Sequence, residues 1–93
     1  MAVSIRRLVL DSLKPREISI IELSRVLCQV TGVEEVDITV TEVDAKTETI
    51  KLIIRGSNIN YENLSKVMGE YGVAIRSIDE INVSKTKMVP QKK

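Results

Sequence analysis

The chain has 93 residues and a net charge of +1, with 43% hydrophobic and 29% charged residues, which is one domain of ordinary globular composition. That length holds a core without metals or disulfides, and the lone Cys28 excludes an intrachain disulfide. The charge balance excludes a domain built chiefly to neutralise nucleic-acid phosphates, and no apolar run approaches the ~20 residues of a membrane helix. The start Met1-Ala2-Val3-Ser4 lacks the apolar core of a signal peptide, so a cytoplasmic location is expected.

Taken in order, Ile5 to Leu13 is the first strand, with Leu8 and Leu10 facing one way and Arg7, Val9 and Asp11 the other. Lys14-Pro15 ends it, since proline cannot continue a central ladder. Ser19 opens a helix, because Ser19-Ile20-Ile21-Glu22 has the capping-box pattern. Ile20, Leu23, Leu27 and Val30 fall at helical spacing, and Gly32 is placed to close that helix. Cys28 beside the stripe reads as a small buried hydrophobe. With no histidine to act as its base, it is not a catalytic thiol.

A β-hairpin follows. Val36, Ile38 and Val40 alternate with Asp37, Thr39 and Thr41, and Ile50, Leu52 and Ile54 with Lys51, Ile53 and Arg55. The polar run Asp44 to Glu48 joins the two arms. Asn60 caps a second helix carrying Leu64, Val67, Met68 and Tyr71 at i, i+3, i+4, i+7, which Gly72 ends. Gly69 inside that helix suggests close packing on the sheet. Val73 to Val83 is the last strand, its alternation less regular than the hairpin's.

The order strand, helix, strand, strand, helix, strand predicts an α+β, ferredoxin-like βαββαβ domain over residues 1–84. It has a four-stranded antiparallel sheet with two helices on one face. The first and third strands should lie in the middle, flanked by the fourth and second. Residues 85–93 read as a polar, basic, frayed tail.

The other sheet face decides between functions. RNA-recognition domains of this topology stack bases on aromatic residues there, but the chain has only Tyr61 and Tyr71, neither on a strand. No nucleic-acid partner is expected. The face instead offers Val9 and Ile53 within a ring that includes Arg7 and Arg55, the pattern of an apolar centre with a polar rim, and so a candidate oligomer interface. Asp11, Asp79 and Glu80 are the candidate ligands for a divalent ion such as Mg²⁺ or Ca²⁺. Residues 79 and 80 point to opposite strand faces, so a bulge or a second subunit is required. Lys14 and Arg16, ahead of the capped helix, are the candidate anion site. With no histidine, no Gly-rich phosphate loop and no nucleophile motif, no enzyme is expected.

Leu8-Val9-Leu10-Asp11 with Leu13-Lys14-Pro15, Gly32-Val33-Glu34, the run from Ile38-Thr39-Val40 to Asp44, and Ile75 to Ile81 together resemble an uncharacterised archaeal family, domain of unknown function 211. The resemblance spans about Ile5 to Val83. It implies a ferredoxin-like fold, a homo-oligomer larger than a dimer and no established activity. Members usually carry histidine where this chain has Arg76, so a histidine-based role is not implied here. The first expectation is a small oligomeric ligand-binding or regulatory module, holding a divalent cation or small anion at subunit junctions. The alternatives are a structural homo-oligomer without ligand and, behind it, a carboxylate- and metal-dependent enzyme.

Overall fold

The computed structural model describes residues 2–86. Its elements are β1 (Ala2–Pro15), α1 (Ile20–Leu27), β2 (Val33–Val43), β3 (Thr47–Gly56), α2 (Tyr61–Glu70) and β4 (Ala74–Thr86). The sheet is wholly antiparallel in the order β2-β3-β1-β4, with β1 and β3 central as the sequence predicts. The domain is a ferredoxin-like α+β fold. Strand β4 runs on through Thr86 and so takes in the first two residues of the expected tail, while the remainder, 87–93, lies outside the described residues.

Leu8 and Leu10 of β1, Ile50, Leu52 and Ile54 of β3, Leu23 and Leu27 of α1, and Leu64 and Met68 of α2 are fully buried in one cluster. Each such side chain contributes about 1.5–3 kcal/mol by leaving water. Val36, Ile38 and Val40 of β2 pack half-buried against it, because β2 is an edge strand. No aromatic ring enters the fully buried set, so aliphatic shape alone fills the core.

Both N-caps are the residues read from the sequence, although the reciprocal Glu22 bond of a capping box is not formed. Ser19 Oγ accepts a hydrogen bond from Ile21 N at 3.0 Å, and Asn60 Oδ1 one from Asn63 N at 3.0 Å. Helix α2 ends in a Schellman turn: Val73 N donates to Met68 O (2.9 Å) and Gly72 N to Gly69 O (3.0 Å), with Gly72 at φ 75°. Helix α1 is shorter than expected, ending at Leu27 with Cys28 as its C-cap. Gly32, at φ 87°, therefore does not cap it. It turns the chain into β2, where its backbone lies so close to Asn58 that a Cβ would sit 1.7 Å from the Asn58 carbonyl oxygen.

Two further expectations are corrected. Cys28 is exposed, not buried, because the helix ends there and its side chain leaves the stripe; Sγ lies 3.7 Å from Glu34 O. Gly69 packs against nothing: a Cβ there would meet no atom within 4 Å.

The irregular pattern of β4 has a specific cause. Ser12 pairs with Ile75 and Asp11 with Ser77, which leaves Arg76 as an extra residue; Leu10 pairs with Ile78 and Val9 with Glu80, which leaves Asp79. Each is a β-bulge that adds one residue to β4 and resets its alternation. Ile75, Ile78 and Ile81, spaced by three, thus all fall opposite buried residues of β1 on the helix side.

Candidate functional site: the sheet face and the ribbon strip

On the helix-free face, Val9 lies between Ile53 and Glu80 in register. It is only 2% exposed and stands outside the main core cluster. Three arginines around it are held in ion pairs. Arg7 Nη1 pairs with a Glu80 carboxylate oxygen, Arg55 Nη1 with Asp37 Oδ2 at 2.9 Å and Glu35 Oε2 at 3.6 Å, and Arg76 Nε with Asp11 Oδ2 at 3.6 Å. Arg76 also reaches Thr49 Oγ1 at 3.4 Å. Of the expected interface residues, Val9 has almost no surface left to cover, Ile53 is half-buried, and Arg7 and Arg55 have intrachain partners. On this face, charges pair across strands.

The three carboxylates proposed for a metal are not brought together. Asp11 faces Arg76, Glu80 faces Arg7, and Asp79 Oδ1 accepts from Ser77 Oγ at 2.8 Å. Among the described residues no group of three His, Cys, Asp or Glu side chains is placed to hold an ion. The Asp79 bulge that such a site requires is present, yet it is spent on keeping Ile78 and Ile81 on one face.

The proposed anion pair is split as well. Lys14 is 1% exposed, and its ammonium donates to Pro15 O (2.8 Å) and Ile18 O and pairs with Glu48 Oε1 at 2.8 Å. An ammonium with three internal acceptors has no donor left for a ligand. Arg16 is exposed and lines an open cleft with Lys46. From sequence Glu48 reads only as the end of the polar hairpin loop; the signal for its pairing is its register opposite Lys14 across β1 and β3.

The uncovered apolar surface lies elsewhere, on the helix side of the ribbon that β1 and β4 form. Ile78 is 48% exposed, Ile81 56%, Val83 46% and Val3 64%. Ile81 pairs with Leu8 and Val83 with Ile5, both of which contribute to the core side, but the helices leave the β4 partners open.

A family model described as "Uncharacterized ArCR", DUF211, matches residues 6–93. The chain belongs to the DUF211 family. It is similar to the uncharacterized protein MJ0319 of Methanocaldococcus jannaschii, at 38% identity over 81 residues that cover 87% of this chain and 84% of that protein. The DUF211 description names no activity. No helix among the described residues is long and apolar enough to cross a membrane.

Proposed function

We propose that the protein is a non-enzymatic module that works as an assembly of identical copies, joined through the uncovered helix side of the β1–β4 ribbon. The strip of Val3, Ile78, Ile81 and Val83 carries this reading. An isoleucine left half exposed forgoes roughly 1 kcal/mol of burial, and four neighbouring apolar residues make a patch worth covering.

The occupant is a second copy. Ile78 marks one end of the strip, and Val3, in register with Lys85, the other. A two-fold antiparallel contact lays apolar on apolar. An isologous interface needs only such a self-complementary patch. Side-chain packing is favoured over a continuous sheet, because the bulges at Arg76 and Asp79 break the regular run of outward backbone groups that edge pairing requires. One two-fold contact closes a dimer, and the larger assembly expected from the family takes a second contact. Catalysis has little to draw on, with no histidine in the chain and the helix-free carboxylates neutralised by arginine.

Sedimentation of the purified protein tests this. The wild type should run at a multiple of 10.4 kDa, and Ile81→Asp and Ile78→Asp at 10.4 kDa with unchanged circular dichroism. A folded wild type at 10.4 kDa at every concentration, or variants of unaltered mass, would overturn the reading.

A further inference from the structure

We infer that the cleft at the hairpin end of the sheet is a binding site for a small multivalent oxyanion, held between Arg16 and Lys46. The cleft is open and of about 650 Å³, within the range of small-ligand sites. Three stretches of chain that are distant in sequence build it: the β1–α1 loop, the β2–β3 loop and the turn into β4. Leu13, Pro15 and Ala74 give it an apolar lining, and Arg16, Lys46 and Glu17 are its charged groups.

The two basic residues are backbone neighbours that line one cleft. Arg16 N donates to Lys46 O at 3.0 Å, which pins one basic residue's backbone to the other's. None of the ion pairs found among the described residues involves Arg16 or Lys46. Glu48, close by in sequence, is taken by Lys14. Two cations against one carboxylate, Glu17, leave the cleft net positive, which an anion offsets. Glu17 on the same rim cancels one of the two positive charges and so weakens the site for a singly charged ion. An oxyanion with two or more charges can span both cations, and a guanidinium offers it a paired donor fork. The chemical class is an organic phosphate or a di- or tricarboxylate. This inference is independent of assembly, since one chain supplies the whole cleft.

The test is a titration of the full chain with inorganic pyrophosphate and, separately, citrate, followed by amide chemical shifts. Saturable shifts at Arg16, Lys46, Thr47 and Gly72 are expected with at least one probe. Arg16→Gln and Lys46→Gln should each weaken binding about tenfold, the loss of one charge-assisted contact. Lys66→Gln, on the exposed surface of α2, should leave it unchanged. Pyrophosphate alone would mark phosphoryl recognition and citrate alone carboxylate recognition, and either supports the site. No saturable shift at these amides, or an equal loss from Lys66→Gln, would overturn it.

Discussion

Lys14 and Glu48 face each other across β1 and β3, with the ammonium fully enclosed and 2.8 Å from a carboxylate that is itself only 19% exposed. The pair ties the β1–α1 loop to the sheet, because the same nitrogen also binds the carbonyls of Pro15 and Ile18. Removing one partner of a buried pair leaves the other uncompensated. Glu48→Ala should cost about 2–4 kcal/mol, read from the urea midpoint. The double variant Lys14→Met with Glu48→Leu should recover part of that loss, since an apolar pair removes the uncompensated charge but leaves the Ile18 carbonyl without the lysine donor. A Glu48→Ala midpoint equal to wild type would show the pair to be energetically idle.

Gly32 and Gly69 make opposite predictions for the same substitution. Gly32→Ala meets both a positive φ and the Asn58 carbonyl, so it should destabilise by about 3 kcal/mol or more. Gly69→Ala meets open space in a helix and should stabilise by about 0.5–1 kcal/mol. Thermal melts of the two variants, run side by side, check both signs.

The ion pairs on the helix-free face should matter little. Arg55→Gln and Arg7→Gln each remove an exposed pair, worth about 0–1 kcal/mol. Neither change should alter the assembly mass, and Ile53→Thr should preserve it as well. A fall to 10.4 kDa in any of these three would return the interface to this face.

Millimolar Mg²⁺, Ca²⁺ or Mn²⁺ should leave the melting temperature of chelator-stripped protein unchanged. Asp11, Asp79 and Glu80 are committed to Arg76, Ser77 and Arg7 respectively. A site filled at 100 times its dissociation constant would add about 2.7 kcal/mol, well within what a melt detects.

The fold was legible where local chemistry and burial point the same way. Alternation in the hairpin, the Ser19 and Asn60 caps and the Gly72 turn all emerge as read. What escaped depended on register. Lys14 looks like a loop cation until β1 continues through Pro15 and sets it opposite Glu48. The apolar strip escaped because bulges have no residue signature of their own; Ile75, Ile78 and Ile81 at intervals of three were the trace of them. Arg16 was found, but its companion Lys46 belongs to a different loop, and only folding makes them neighbours.

That interval of three reaches beyond packing. Isoleucines at i, i+3 and i+6 would span an arc of roughly 120° on a helix, so residues 75–81 read locally as an amphipathic helical turn as much as a strand. Only the ladder to β1 makes them extended. The segment is therefore conformationally ambivalent, and its identity is borrowed from its neighbour. A peptide of residues 74–83 in isolation should take up helix on adding trifluoroethanol, whereas one of residues 47–56, with strict alternation, should resist it.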